Sequence, residues 1–313
     1  MDLKGENNMG NVIETRNLTK VFGKLTAVNN VSLSVNQGEI FGFLGLNGAG
    51  KTTTIRMLLG MIRPTVGSAF LFGEKVGAGS CSLWERVGYL VETPFSYPDL
   101  TVWENIEIVR RLRQMSDKKV VEAFIDKLRL TSYRDVKAKN LSSGNAQRLG
   151  LAKAFLNHPD ILILDEPANG LDPAGIVEIR ELFSDLALNQ GVTIFISSHI
   201  LGEISKFATR IGIIHEGRLK RELNTDQLER LLHKRLIVSA RNKEAVRLKL
   251  INDGYSVYLA KDGNLEITDE RAINHPEKIA SILVQAELPP TLLKVEEEDL
   301  ESYFLRTIEG NIK

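Results

Sequence analysis

The chain's 313 residues suggest about two domains, and its 43% hydrophobic content is ordinary for globular cores. Lys plus Arg total 40 and Asp plus Glu total 40, and this zero net charge argues against bulk electrostatic capture of nucleic acid. One cysteine, Cys81, allows no intrachain disulfide and fits a reducing compartment, while the five histidines show no metal-ligand spacing.

The first residues, "MDLKGENNMGN", are polar, and residues 1–10 are expected to form a tail without the apolar stretch of a signal peptide. No apolar run approaches the roughly 18 residues that span a bilayer. The Asn17-Leu18-Thr19 sequon is then a chance match, because glycosylation needs a secreted context. Residues 12–36 read as short strands with turns, and Val31-Ser32-Leu33-Ser34-Val35 alternates as a strand does. "EIFGFLG" is a short apolar run, suited to a buried strand. A glycine-rich turn follows, then a helix with Ile55, Leu59 and Ile62 on one face, ended by Gly60 and Pro64.

In "VGYLVETPFSYPDLT" the apolar residues run up to Glu92, a carboxylate that is costly at a strand end unless something meets it. Residues 100–156 are mostly helical by pattern. "RRLRQ", residues 110–114, reads as a solvated basic face or as a contact for a partner or anionic lipid. "ILILDEP", "GVTIFISSH" and "RIGIIHEG" are three further buried strands, and their alternation with helices predicts a mostly parallel α/β core. From about residue 222 the order becomes strand, helix, hairpin with Asp-Gly at its tip, helix and strand. That is the order of a small split-βαβ unit, and "EDLESYFLRTI" adds a terminal amphipathic helix.

"GLNGAGKTT", Gly45 to Thr53, fits G-x-x-x-x-G-K-[ST] between a buried strand and a helix. Glycines let backbone N–H groups wrap phosphates with no Cβ in the way, and the helix points its positive end at the same anion. Asn47, Gly48, Gly50, Lys51, Thr52 and Thr53 are therefore candidate residues for binding the phosphates of a nucleotide cofactor. Lys51 can reach the β- and γ-phosphates, and the Thr52 hydroxyl can ligate Mg²⁺. Kinases, GTPases and motor ATPases share such a loop, but no N-K-x-D guanine-reading motif is present.

The stretch "LSSGNAQRLGLAKAFLNHPDILILDEP", Leu141 to Pro167, narrows the class. Here the chain resembles the nucleotide-binding subunit of ABC transporters, over about residues 11–221. The family signature L-S-G-G-Q appears as Leu141-Ser142-Ser143-Gly144-Asn145; serine keeps a small side chain and asparagine an amide, so function should survive. The resemblance implies that Asp165 holds Mg²⁺ through water and that Glu166 is the general base for the attacking water. It implies that Asp172, in "ANGLDPAG", is the contact across a dimer, and that His199 is the switch histidine at the γ-phosphate. Phe22 falls where the family stacks an aromatic ring on adenine, with a core phenylalanine as the alternative.

Glu92 takes the place of a glutamine that touches Mg²⁺ and the attacking water. It is expected to meet the metal or its water shell, or a partner's basic side chain, or to be a neutral replacement. With "DEPANGLDPAGI", "SSHILGEI" and "EEDLESYFLRT", it resembles the subset of ABC ATPases linked to bacitracin and lantibiotic resistance. Cys81, His158, His215, His233 and His275 carry no assigned role.

The expected fold is a P-loop ABC ATPase core of α/β class, with an antiparallel β subdomain and a helical subdomain at about 93–156, all within 11–221. Residues 222–313 form a small α+β accessory domain. The resemblance implies a head-to-tail dimer of two copies, or of this chain and a related ATPase subunit, with two ATP–Mg²⁺ between them. Each site takes Lys51, Thr52, Asp165, Glu166 and His199 from one chain, and Ser142 and Gly144 from the other. An integral membrane permease is the expected partner, no nucleic acid is expected, and the subunit sits peripherally on the cytoplasmic face of the cell membrane. A soluble ABC ATPase acting on ribosomes or DNA is the alternative; a single P-loop and the lack of long heptads speak against it. A regulatory subunit with a degenerate site is a further one, and intact Lys51, Asp165 and Glu166 oppose it.

Overall fold

The computed structural model describes residues 10–77, 81–260 and 263–308. The expected tail lies outside these residues apart from Gly10, and so does Asp262 of the hairpin tip. The chain divides between Thr225 and Asp226 into two compact units.

In the first unit, β1 (Asn11–Phe22) and β2 (Leu25–Asn36) form one long antiparallel hairpin rather than several short strands. Alternate residues Val31, Leu33 and Val35 of β2 are buried, as the sequence alternation requires. β3 (Ile40–Leu44) leads through the glycine-rich loop to α1 (Lys51–Leu58). The helix stops a turn short of Ile62, because Gly60 takes a left-handed φ of 65°. β4 (Val66–Leu71) and β5 (Glu74–Lys75) complete a four-stranded sheet, in the order β2-β1-β4-β5, among the described residues.

After α2 (Cys81–Glu85) and β6 (Val87–Leu90) comes a helical stretch of α3 (Val102–Leu112), α4 (Lys119–Lys127) and α5 (Ser143–Phe155). Thr101 opens α3 with a capping box to Glu104. The basic face expected at 110–114 is partly turned inward. Arg110 is buried and pairs with Glu107 at 2.6 Å, and Arg113 donates to the Trp84 carbonyl. Hydrogen bonds from Arg110 and then Arg111 hold the Glu107 carboxyl down to about 2.

β7 (Ile161–Asp165), α6 (Pro173–Gln190), β8 (Thr193–Ser198), α7 (Leu201–Ile204), β9 (Arg210–His215) and β10 (Arg218–Asn224) finish the unit. The main sheet runs β10-β9-β3-β8-β7-β6, parallel except for the edge strand β10. Every residue of β3, β7 and β8 is buried, which is why these strands read as continuous apolar runs. Their carboxyl ends lie side by side, with Leu44 opposite Ser198 and Asp165 opposite Ser197. Ligand sites of open α/β sheets lie at such strand ends.

The second unit has α8 (Thr225–Leu231) at its start, then β11 (Lys234–Ala240), α9 (Lys243–Asn252), β12 (Val257–Leu259) and β13 (Leu265–Ile267). α10 (Glu270–Asn274), α11 (Pro276–Gln285), β14 (Pro290–Glu297) and α12 (Leu300–Ile308) follow. The antiparallel sheet order β12-β13-β11-β14 is that of a split-βαβ unit. Leu236 and Val238 of β11 pack with Val246 and Leu250 of α9 and with Ile279 and Leu283 of α11.

Candidate nucleotide site

The phosphate loop leaves β3 at Gly45, where a Cβ would stand 2.6 Å from the Ile214 carbonyl oxygen. Gly48 has a φ of 80° and Gly50 of 107°, values that glycine reaches without strain. Gly50 caps α1 without a side-chain bond, so no side chain competes for the helix's first N–H groups.

Lys51 is only 6% exposed, and everything around its ammonium is an acceptor. Nζ donates to the Gly45 carbonyl at 2.6 Å and the Leu46 carbonyl at 3.3 Å, and lies 3.1 Å from Glu166 Oε1. That carboxylate oxygen is buried, and the contact is an ion pair without hydrogen-bond alignment. The other oxygen, Oε2, accepts from His199 Nδ1 at 2.8 Å. Thr52 donates its hydroxyl to Asp165 Oδ2 at 2.7 Å.

Glu166 has a left-handed φ of 49°, which turns the chain sharply off the end of β7. Ser197 fixes that turn: its hydroxyl donates to Asp165 Oδ1 at 2.5 Å and accepts from the Glu166 N–H at 3.0 Å. Ser197→Ala would strand a buried carboxylate oxygen and a part-buried N–H at once. We expect a stability loss of about 1–3 kcal/mol, read as a lower Tm, together with slower ATP hydrolysis. Unchanged Tm and turnover would remove Ser197 from the site.

A cleft of about 550 Å³ is lined by Phe22, by Asn47, Gly48 and the stretch from Gly50 to Thr53, and by Glu166. The Phe22 ring is half-exposed with the Lys20 ammonium 4.9 Å from its centroid, so it is a surface ring and not a core one. Asp165 joins this group through Thr52, and His199 through Glu166.

Four expected residues stand elsewhere. Ser142 caps α5 by accepting from the Asn145 N–H at 3.3 Å, and Asp172 caps α6 by accepting from Gly175 at 2.9 Å. Gly144 lies against the Gly170 carbonyl, 2.9 Å from where its Cβ would be. Glu92 has a φ of 54° and pairs with Arg56 of α1 at 2.8 Å. Its loop is held against α5 as well. A Cβ on Gly150 would fall 2.7 Å from that of Pro94, and Lys153 donates to Ser96 at 2.9 Å and to the Phe95 carbonyl. Burial pushes the Lys153 ammonium down to about 8.

The sequence reading passed over Ser197, Arg56 and Gln147, which is buried on α5 and donates to the Pro167 carbonyl at 3.0 Å. Ser197 left a signal, a hydroxyl at the end of a buried apolar strand; Arg56 left none.

A phosphate loop beside an acid-ended strand, on this sheet order, defines a nucleoside triphosphatase of the P-loop class. Residues 28–169 match the family model described as ABC transporter. The chain is 38% identical over 304 residues to a bacitracin transport ATP-binding protein of Bacillus licheniformis, spanning 96% of this chain and 99% of that protein. It is 36% identical over 225 residues to a lantibiotic transport ATP-binding protein of Streptococcus pyogenes, spanning 70% and 94%. Among solved structures, a dimeric post-hydrolysis ATP-binding cassette bound to ADP and Pi aligns with TM-score 0.64 and 24% identity, over 68% of this chain and 98% of that one. The ATP-binding subunit of an ABC transporter aligns with TM-score 0.63 and 27% identity, over 70% and 92%. The chain belongs to the family of ABC transporter ATP-binding subunits.

Proposed function

We propose that this chain powers a separate membrane permease that exports an antimicrobial peptide or a similar drug, by hydrolysing ATP in the cleft of Lys51 and Glu166. The observation that carries the reading is the contact chain from Thr52 and Asp165 through Ser197 to Glu166, Lys51 and His199, at three adjoining strand ends. The triphosphate would lie on the backbone N–H groups from Gly48 to Thr53, and its oxygens would compete with two carbonyls and Glu166 for the Lys51 ammonium. Released from Lys51, Glu166 Oε1 would accept the proton of the attacking water, while His199 holds Oε2 in place.

The donor set fits Mg²⁺. Thr52 and Asp165 offer a hydroxyl and a carboxylate, hard oxygen ligands. No cluster of three or more His, Cys, Asp or Glu exists among the described residues to hold a metal without phosphates. Bound there, Mg²⁺ would neutralise charge on the β- and γ-phosphate oxygens.

Ser142 and Asp172 are exposed and lie outside the cleft, which supports their use on a second copy's nucleotide in a head-to-tail dimer. No helix among the described residues is long and apolar enough to cross a membrane, so an integral permease would supply the path. The subunit would then sit on the cytoplasmic face. Relatives named for bacitracin and lantibiotic transport support the class of cargo.

The test is a gentle detergent pull-down from native membranes, with phosphate release measured on the product. A polytopic membrane protein at a one-to-one ratio with ATP-dependent phosphate release is expected. Ribosomal proteins instead, or no membrane partner, would overturn the exporter reading.

A further inference from the structure

The cleft has a second carboxylate that the hydrolytic reading does not use. Glu216 lines it together with Phe22, Leu25 and Asn47. It sits in the two-residue turn between β9 and β10, and its side chain is 79% exposed. We infer that Glu216 reads the ribose of the bound nucleotide by accepting hydrogen bonds from its 2′- and 3′-hydroxyls.

Three observations carry this, on the reading of the cleft as an ATP site. First, the turn is rigidly placed. The Gly217 N–H donates to the Ala49 carbonyl of the phosphate loop at 2.9 Å, and the Gly217 carbonyl accepts from the Asn29 N–H at 2.8 Å. A Cβ on Gly217 would stand 2.8 Å from the Ala27 carbonyl oxygen, so the turn cannot slide along β2.

Second, the backbone argues for the side chain. Glu216 has a φ of 49° and Gly217 of 72°, the pattern of a type I′ hairpin turn. Asparagine, aspartate or glycine suits the first position of that turn, and glutamate does not. Strained backbone under a longer side chain at a ligand cleft points to a use for that side chain.

Third, the chemistry selects the ribose. A carboxylate near a triphosphate is repelled by it, while sugar hydroxyls are donors that a carboxylate accepts well, as acidic residues do in dinucleotide folds. His215 Nε2, at 3.9 Å, is too distant to hold the carboxylate by a hydrogen bond. Glu166 is held by His199 and assigned to the attacking water, which leaves Glu216 as the acidic lining residue available to the sugar.

The experiment compares KM for ATP, 2′-deoxy-ATP and 3′-deoxy-ATP in the wild type, Glu216→Gln and Glu216→Asn. Asparagine suits the turn better than glutamate, so a folding defect cannot imitate the result. The wild type should show KM about tenfold higher for at least one deoxynucleotide, as loss of a charge-assisted hydrogen bond implies. In Glu216→Asn, whose amide is one methylene shorter and falls short of the sugar, that ratio should fall to about one, with an intermediate value in Glu216→Gln, whose amide oxygen keeps the reach and still accepts but without charge. No discrimination by the wild type, or a ratio unchanged in both variants, would overturn the inference. Absence of ATP hydrolysis in the wild type would instead strike at the ATPase reading itself.

Discussion

Glu166→Gln is expected to bind ATP, to release phosphate about 10²–10³-fold more slowly than the wild type, and to accumulate as a closed dimer with ATP present. The substitution keeps the volume and an oxygen for Lys51 or His199, but the amide cannot take a proton from water. Glu166 is held on one side by Lys51 at 3.1 Å and on the other by His199 at 2.8 Å, so the amide inherits a fixed position. Removing its charge also removes repulsion toward the γ-phosphate, which favours the ATP-bound state. Phosphate release and light scattering with and without ATP would check both halves. Normal turnover would sink the general-base assignment.

Gly50→Ala should abolish useful ATP binding by a different route. The residue has a φ of 107°, outside the conformations that alanine adopts readily, and its Cβ would meet the Ala27 carbonyl oxygen at 2.5 Å. That oxygen belongs to the backbone of β2, at the bulge between the Val28 and Thr26 pairings with β1, and backbone cannot yield as the end of a flexible side chain would. The loop must therefore distort, at a cost of about 3 kcal/mol or roughly a hundredfold in affinity. Gly202→Ala is the control: nothing lies within 4 Å of its Cβ, and it sits in a helix, where alanine is preferred. Equal loss of ATP binding in both variants would rule out the steric argument.

Much of this was legible in the chain because it is local. Continuous apolar runs marked β3, β7 and β8, and the motif residues follow each run directly, so finding the strands also found Gly45, Glu166 and His199. The pairings were not legible. Arg56 and Glu92 are 36 residues apart, and Ser197 and Asp165 are 32 apart, so their contacts exist only once the sheet order is set. The basic run at 110–114 was only partly legible for a related reason, since Arg111 is exposed as expected and Arg110 is not. Charge composition suggests a solvated face, but Glu107, one turn earlier on the same helix, recruits Arg110 inward.

Three glutamates close to the ends of adjoining or nearby parallel strands, Glu92 after β6, Glu166 after β7 and Glu216 after β9, share a left-handed backbone with φ between 49° and 54°. At each, asparagine would relieve about 1 kcal/mol of strain. At Glu166, the carboxylate proposed as the general base, heat resistance and turnover therefore pull in opposite directions, and selection for a hardier protein alone would erode that acid.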